Sequence, residues 1–418
     1  MDYRKYRLFK VQTASDRQMK SLSLFFLSLV LFVAMALGHV PRKVTAIEDG
    51  GIGRVVNITT QTSNDSNAIE QSNLNIEVLG PDVVTIPENS LDDFGYVGII
   101  ITAINSGPTP VYLQFDKFIP ELIGPDGKTI QGQINTKLKT RQSSCQLVYR
   151  GGNGVLSTSH VLRWEHNTLQ LEIFNEDFGF WSFKNLKPGT YQLRFIYSSR
   201  TGLVSCHELE QKNTKAAQVT SINKGVTSFV PLRLVQPVFI DSNTVEVDGI
   251  RFELIMPERV LSIPVNQANV KTPVQLGMRI TNNTSTPHRF TRFDTIYPII
   301  LGTDGKYIQN NGGRDGTIAP QASDCPLVMP QESVTFFMDA NLFWTNNELR
   351  LGGSDHFGGI WYFSPLKPGT YYLGLGYANG GIIQSLFCPQ AKGGRGRLED
   401  FWIGGMNTKL LEVSLVVQ

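Results

Sequence analysis

The hexapeptide LKPGTY stands at residues 186–191 and again, unchanged, at residues 366–371. In both copies the Pro-Gly pair predicts a turn, because proline presets a negative φ and glycine tolerates a positive one. After the first turn, Tyr191, Leu193 and Phe195 alternate with Gln192 and Arg194, and this period of two predicts a β-strand. The sequence therefore predicts the same turn and strand twice in one chain.

Other residues repeat at the spacing of the hexapeptide. The matched pairs are Trp164 and Trp344, Trp181 and Trp361, Cys145 and Cys325, and Tyr197 and Tyr377. Cys206 and Cys388 match at almost the same spacing. Self-similarity of this length predicts two homologous domains, at about residues 74–236 and 250–418, joined by a linker at 237–249.

Short strands separated by turn signals make up each repeat. Residues 97–104 and 274–280 are rich in β-branched side chains, which favour strands. The dipeptides Asp126-Gly127 and Asp304-Gly305 are typical of hairpin turns, since both residue types tolerate a positive φ. No amphipathic helix is predicted after residue 38. The predicted class is all-β: two tandem homologous immunoglobulin-like β-sandwich domains after an N-terminal export helix and a flexible tether.

The two LKPGTY copies resemble the tyrosine corner of Greek-key immunoglobulin-like and fibronectin type III-like domains. An Asn-containing strand, a Gly-Pro-Asp-Gly-Lys hairpin and a late PGTY strand follow in an order similar to that of small bacterial immunoglobulin-like modules of the BsuPI type. This resemblance implies that Tyr191 and Tyr371 are structural corners whose hydroxyl groups bond backbone upstream. It covers about ten to fifteen residues per repeat, and it implies a fold rather than a function.

The N-terminus predicts export. Residues 21–38, SLSLFFLSLVLFVAMALG, carry no charge and follow a flank in which Lys and Arg outnumber Asp. A positive flank, an apolar run and small residues at its end are typical of a secretory signal. An uncleaved anchor is the alternative for residues 1–38, and Met19 is an alternative start. Residues 39–73 are polar and predict a flexible linker.

Each repeat carries one equivalent cysteine pair, which predicts the disulfides Cys145–Cys206 and Cys325–Cys388. A metal site or a catalytic thiol is the alternative. However, neither spacing resembles a CxxC motif, and no histidine accompanies both pairs. The predicted location is outside the cytoplasm: periplasmic, extracellular or membrane-anchored facing outside. A membrane contact is expected only through the N-terminal segment, if it stays uncleaved.

Composition argues against several functions. The 418 residues carry 38 Lys and Arg against 36 Asp and Glu, a net charge of +2. This balance lacks the basic excess of nucleic-acid-binding proteins, so no nucleic-acid partner is expected. A hydrophobic fraction of 41% and an aromatic fraction of 10% are too high for a disordered chain.

No catalytic motif emerges from the sequence. The GxSxG, Walker, HExxH and EF-hand patterns are absent. Glu172, Glu176 and Asp177 could form a glycosidase-like carboxylate set, but the second repeat does not reproduce it. We therefore expect no catalytic residue, no metal, no cofactor and no enzymatic activity.

Aromatic residues are the candidates for ligand binding. Trp181, Trp361, Trp402 and Tyr149 could stack on sugar rings or on partner side chains. The alternative is that the repeated tryptophans fill the sandwich core. Asp355-His356, like Glu176-Asp177, forms an acidic loop before a tryptophan strand, where a cation or substrate could bind; a solvated loop is the alternative.

We weigh three functions and expect the first, with the second as the main alternative and the third as the least favoured. The first is an exported, non-enzymatic envelope or extracellular protein whose sandwiches serve as a scaffold or docking module for a protein partner. The second is a pair of carbohydrate-binding modules for cell-wall polymer or exopolysaccharide. The third is a glycan hydrolase or a hydrolase inhibitor. In each case binding is expected first in the loops at 132–144, 150–159, 207–226 and 389–405, because loops on a rigid scaffold usually carry recognition.

Overall fold

The structure, a computed structural model, describes a large part of the chain. The described residues are 74–88, 94–114, 117–135, 145–175, 179–198, 220–221, 224–314, 317–380, 388 and 400–417. The predicted export segment and tether lie outside them. The elements of the described part are β-strands and a 3₁₀ helix, Ala322–Asp324, and no α-helix is found there. The predicted all-β class is confirmed.

Fifteen of the described strands belong to residues 74–235. They are β1 (Leu74–Leu79), β2 (Val83–Thr85), β3 (Phe94–Asn105), β4 (Val111–Gln114), β5 (Phe118–Ile123), β6 (Thr129–Ile130), β7 (Gln133–Asn135), β8 (Cys145–Val148), β9 (Asn153–Glu165), β10 (Thr168–Asn175), β11 (Gly179–Phe183), β12 (Gly189–Ser198), β13 (Thr220–Ser221), β14 (Lys224–Val226) and β15 (Val230–Val235).

The remaining described strands belong to residues 238–417. They are β16 (Val238–Phe239), β17 (Thr244–Val247), β18 (Ile250–Ile255), β19 (Val260–Ile263), β20 (Lys271–Pro273), β21 (Leu276–Asn282), β22 (His288–Arg289), β23 (Ile296–Gly302), β24 (Asn310–Arg314), β25 (Leu327–Val328), β26 (Ser333–Met338), β27 (Asn341–Thr345), β28 (Glu348–Ser354), β29 (Gly359–Leu366), β30 (Gly369–Asn379), β31 (Gly404–Asn407) and β32 (Leu411–Val417).

The strands form several sheets. The first repeat contributes a six-stranded sheet with the order β1-β3-β9-β10-β11-β7. The second repeat contributes two five-stranded sheets, β16-β17-β18-β21-β26 and β20-β27-β28-β29-β24. An eleven-stranded sheet contains strands of both repeats, in the order β19-β32-β30-β31-β2-β15-β12-β5-β6. In the same sheet β14 also pairs with β12, and β23 also pairs with β30. The β13-β4-β8 and β22-β25 groups are smaller.

Alternating side chains build two hydrophobic cores. In β12, Leu193 and Phe195 are buried while Gln192 is exposed, as the period of two predicts. Their core also takes in Leu171 of the six-stranded sheet, so it lies between two sheets. A second core, around Phe252 and Tyr377, belongs almost wholly to the second repeat. Each repeat thus buries the apolar faces of its strands against one another.

The LKPGTY turns have the same geometry in both repeats. The Tyr191 hydroxyl accepts a hydrogen bond from the Lys187 amide at 2.8 Å and donates one to the Lys187 carbonyl at 2.9 Å. The Tyr371 hydroxyl makes the same bonds with Lys367 at 2.9 and 3.0 Å. Gly189 has φ 150° and leaves no room for a side chain, since a Cβ there would lie 2.6 Å from the Pro125 ring. Each ring therefore fixes the turn that precedes its own strand.

Buried polar residues also repeat their contacts. The Asn105 side chain donates to backbone carbonyls at 2.8 and 3.0 Å, and Asn282 does the same at 2.8 and 3.0 Å. The indole nitrogen of Trp164 donates to the Pro87 carbonyl at 2.9 Å. Trp344 likewise donates to the carbonyl of Pro264 at 2.8 Å. The repeat in the sequence is therefore a repeat of hydrogen bonds as well.

One strand pairing connects the repeats. Strand β2 of the first repeat pairs in parallel with β31 of the second, Val83 opposite Gly404 and Val84 opposite Gly405. Val83 also belongs to the hydrophobic core of the second repeat. Residues 237–249, predicted as a linker, contain β16 and β17, which pair in the sheet of β18. The division into two tandem domains stays a prediction.

Candidate functional site

A broken strand distinguishes the second repeat from the first. Strand β9 is continuous over 13 residues, Asn153–Glu165, whereas its counterpart is divided into β26 and β27 at Asp339 and Ala340. The Asp339 carboxylate accepts hydrogen bonds from the Ser354 amide at 3.1 Å and from the Asn341 side chain at 2.8 Å. A Cβ at Gly353 would lie 1.9 Å from the Asp339 carbonyl oxygen. The approach of β28 to Asp339 therefore requires glycine at 353.

An open cavity runs along β26, and we call it the β26 groove. Its volume is about 430 Å³, within the ~300–1,000 Å³ range of small-ligand sites. Its lining comprises Arg292, Ser323, Asp324, Val334, Thr335, Phe336, Phe337, Met338, Asp339 and His356. Because residues 334–339 are consecutive, one side of the groove is the strand itself.

Strand β26 is an edge strand whose pairing partner in the described part of the chain is β21. The backbone N–H of Asn282 in β21 donates to the Glu332 carbonyl at 3.0 Å, and its backbone carbonyl accepts from the Gln331 amide at 2.6 Å. Backbone groups alternate in direction along an antiparallel pair. The backbone N–H and C=O groups of Asn282 point toward β26. At every second residue along the register the groups face the partner strand, so those of Val334 and Phe336 point toward β21. The backbone N–H and C=O groups of Thr335 and Phe337 point the other way, toward the groove.

The side chains of β26 divide between the core and solvent. Phe336 is 5% exposed and belongs to the hydrophobic core of the second repeat. Phe337 is 47% exposed, because successive side chains of a strand point to opposite faces. A large apolar ring is thus presented beside outward-facing backbone groups.

An ion pair also lines the groove. The Arg292 guanidinium contacts the Asp324 carboxylate at 2.7 Å through Nε and at 2.6 Å through Nη2. The Asp324 carboxylate also accepts from the Gln321 amide at 2.7 Å, at the start of the 3₁₀ helix. Asp324 is 5% exposed. These contacts hold the two side chains in place and leave both charged groups with partners.

A second arginine orders the loop that contains His356. Arg314 donates to Asp294 at 2.6 and 3.1 Å and to Asp355 at 3.1 Å. Partial burial alone would raise the pKa of Asp355, but hydrogen bonds from Arg314 and from the Phe357 and Gly359 amides outweigh it, so the pKa is lowered. The bonds to Asp294 and Asp355 raise the pKa of Arg314. The Asp355-His356 loop, singled out in the sequence, is therefore an ion-paired loop at the rim of the groove.

The four aromatic residues that the sequence predicts as ligand-binding differ in how far they are buried. Trp361 is 7% exposed and Trp402 is 6% exposed, and both pack in the core of the second repeat. Trp181 is partly buried against the core of the first repeat. Tyr149 is 62% exposed. Little of the Trp361 and Trp402 side chains is open to solvent, and ligand binding at the four aromatic residues stays a prediction.

One predicted disulfide is present. Cys325 and Cys388 are bonded, with their Cα atoms 6.0 Å apart. Arg289 donates to the Cys325 carbonyl at 2.7 Å and to the Asp400 carboxylate at 2.9 and 3.1 Å. Cys145 begins β8, but Cys206 lies outside the described residues, so the Cys145–Cys206 bond stays a prediction.

The carboxylates considered for hydrolysis do not form a described cleft. Glu172 is 3% exposed and contacts Arg163 at 2.6 Å. Burial raises its pKa more than the Arg163 charge lowers it. Glu176 and Asp177 lie outside the described residues. In the part of the chain that the structure covers, no three His, Cys, Asp or Glu side chains cluster as metal ligands would.

Most of the groove was missed by sequence reasoning. Its lining residues lie outside the four loops in which binding was expected first. A signal was nevertheless present: Gly352-Gly353 occupies the place that Glu172-Ile173 holds in the first repeat. A paired glycine in a strand often marks close backbone approach, which is what Gly353 provides beside Asp339.

No model of a known protein family matches this chain, and no curated protein matches it. Within the described residues, no helix has the length and apolar character needed to span a membrane.

Proposed function

We propose that this chain is an exported, non-enzymatic protein whose β-sandwich repeats form a scaffold that docks a protein partner, and that the partner binds at the β26 groove. The observation that carries the proposal is the open edge of β26, where outward backbone groups of Thr335 and Phe337 line a cavity of about 430 Å³. Exposed strand edges are templates for pairing with another chain.

The charged groups of the groove support binding rather than catalysis. Asp324 forms an ion pair with Arg292, and the Asp339 carboxylate accepts hydrogen bonds from the Ser354 amide and the Asn341 side chain. A general acid or base needs a group free to reach a substrate proton, whereas these carboxylates hold the walls of the groove. The proposal therefore includes no cofactor and no catalytic residue.

Export is proposed from the N-terminal sequence and agrees with the cysteines. An apolar run at residues 21–38 follows a basic flank, as in a secretory signal. A formed Cys325–Cys388 bond is typical of oxidising compartments. We place the protein in the periplasm, outside the cell, or anchored to the membrane facing outside.

A protein partner is favoured over an envelope polysaccharide. Glycan binding predicts an exposed planar ring. Trp361 and Trp402 are 7% and 6% exposed, and Tyr149, which is 62% exposed, does not line the groove. The large exposed ring at the groove is instead Phe337, 47% exposed, and it lies beside an edge strand. Apolar contact next to open backbone suits a polypeptide.

The test uses the oxidised, exported full chain, immobilised and exposed in parallel to solubilised envelope proteins, purified wall polymer and exopolysaccharide. Phe337→Ser is compared with Ile360→Ser, which removes another exposed apolar side chain, 59% exposed, from the second repeat. We expect a protein retained by the wild type and by Ile360→Ser and lost with Phe337→Ser. Retention of polymer alone, or of the same protein by both variants, would overturn the proposal.

A further inference from the structure

We propose that the β26 groove binds an extended, positively charged peptide segment of the partner as an additional β-strand on the edge of β26. This inference rests on the proposed docking function and specifies how the partner is held. In strand addition, main-chain hydrogen bonds provide affinity and alternate side chains provide specificity.

The edge of β26 offers the backbone bonds that strand addition needs. Val334 and Phe336 face Ile280 and Met278 of β21 in register. Thr335, between them, has its N–H and C=O directed away from β21. The described residues supply no hydrogen bond to the outward backbone groups of Thr335 and Phe337.

The break between β26 and β27 leaves room for the added strand. At Asp339 the second repeat brings β28 against the chain, through the bond from the Ser354 amide at 3.1 Å. Strand β28 ends at Ser354, so residues 333–338 of β26 have β21 as their strand partner in the described part of the chain. The groove lies along β26, and His356 and the Arg292–Asp324 pair also line it.

The charged side chains at the groove favour a basic peptide. Among the groove-lining residues, Arg292 is accompanied by Asp324 and Asp339. At the neighbouring Asp355-His356 loop, Arg314 of β24 is accompanied by Asp294 and Asp355. Carboxylates thus outnumber guanidinium groups in both places, and complementary charge favours a basic segment and disfavours an acidic one.

Strand geometry specifies the neighbouring side chains as well. Phe337 is exposed on the outer face of its sheet. An added strand would place alternate side chains on that face, directly beside the ring. Aromatic rings pair favourably with β-branched residues across strands, so a peptide in which Val alternates with Lys or Thr matches the groove.

The experiment measures binding of a labelled peptide, KVTVKVTVK with blocked ends, to the oxidised full chain by fluorescence anisotropy. Thr335→Pro removes an outward N–H, and proline is accepted on an edge strand where the N–H faces away from the ladder. Thr335→Val is the matched control, because it changes the same side chain and keeps the N–H. We expect Thr335→Pro to weaken binding about tenfold, as the loss of one to two hydrogen bonds predicts, and Thr335→Val to bind as the wild type does.

Two further probes keep the test decisive if Thr335→Pro fails to fold. The same peptide with alternate backbone nitrogens methylated loses its edge donors, and EVTVEVTVE reverses its charge. Both should bind the wild type about tenfold more weakly than the parent peptide. Equal binding of the parent and methylated peptides would overturn strand addition, and equal binding of the acidic peptide would overturn the charge preference.

The result also separates this inference from the docking function. If no peptide binds, while Phe337→Ser still abolishes partner capture and Ile360→Ser does not, strand addition is wrong and docking at the groove stands. If Phe337→Ser leaves capture intact, the docking function itself fails. Peptide binding lost with Thr335→Pro supports both.

Discussion

At the scale of single residues, the tyrosine hydroxyl groups of the two turns make a measurable contribution to stability. Tyr191→Phe and Tyr371→Phe each remove a hydroxyl that both accepts from and donates to one lysine backbone. We expect each change to lower the free energy of unfolding by about 1 kcal/mol, the usual net value of such bonds. Urea denaturation followed by tryptophan fluorescence measures the effect.

Tyr372→Phe is the matched control for these changes. Tyr372 neighbours Tyr371 in β30 and is 39% exposed, so its hydroxyl is open to water. A loss of stability in this control as large as that in Tyr371→Phe would show that the corner bonds contribute nothing of their own.

Protonation of Asp355 should lower the free energy of unfolding in acid. Its folded pKa lies below its usual value, so its ionised form favours the folded state. The contribution is complete above the unfolded pKa of about 3.9 and disappears as the pH falls through the folded pKa. The difference in unfolding free energy between wild type and Asp355→Asn should therefore be present at neutral pH and shrink in acid.

Urea denaturation at several pH values between neutral and strongly acidic measures this difference. Glu412→Gln, at an exposed position of β32, serves as the control for the general effect of removing a carboxylate. A difference between wild type and Asp355→Asn that stays constant with pH would contradict the assignment to Asp355.

At the scale of elements, the close approach of β28 to Asp339 depends on one glycine. Gly353→Ala would place a Cβ 1.9 Å from the Asp339 carbonyl oxygen, so the strands must separate. We expect a loss of about 1–3 kcal/mol in unfolding free energy, as for other overpacked sites. We also expect weaker binding of the KVTVKVTVK peptide, because the groove changes shape.

Gly313→Ala is the control for Gly353→Ala, because both glycines lie in strands of the same sheet. Gly313 lies in β24, and a Cβ there meets nothing within 4 Å. This variant should unfold and bind peptide as the wild type does. Equal effects of the two substitutions would mean that strand propensity, and not the contact with Asp339, accounts for the loss.

At the scale of the whole molecule, the shared sheet predicts cooperative unfolding of the two repeats. Val83 is 5% exposed and packs in the core of the second repeat, although it belongs to β2 of the first. Val83→Ala should lower the unfolding free energy by on the order of 2 kcal/mol. In calorimetry the wild type should show one transition, with equal calorimetric and van't Hoff enthalpies.

Val260→Ala, at a position that is 61% exposed in β19, is the control and should change little. Two resolved transitions in the wild type would show that the repeats unfold as separate domains. In that case the pairing of β2 with β31 would be a contact of little energetic weight.

The all-β class followed from the sequence alone because it depends on local rules. Alternation of apolar and polar residues in β12 identified a strand, and Asp126-Gly127 identified a hairpin, in which Gly127 has φ 76° between β5 and β6. Matched positions such as Asn105 and Asn282 make matched bonds, because segments of repeated sequence place the same atoms together. Only the Asp355-His356 loop of the candidate site was also singled out from the sequence.

The tertiary structure alone decided the groove and the connection between the repeats. Arg292 meets Asp324 and β2 meets β31, although neither pair is close in sequence. Such contacts depend on which strand edges remain unpaired after each sheet has formed and on how closely two backbones can approach. Periodicity assigns a residue to a face of a strand, but it carries no information about which edge lies opposite another.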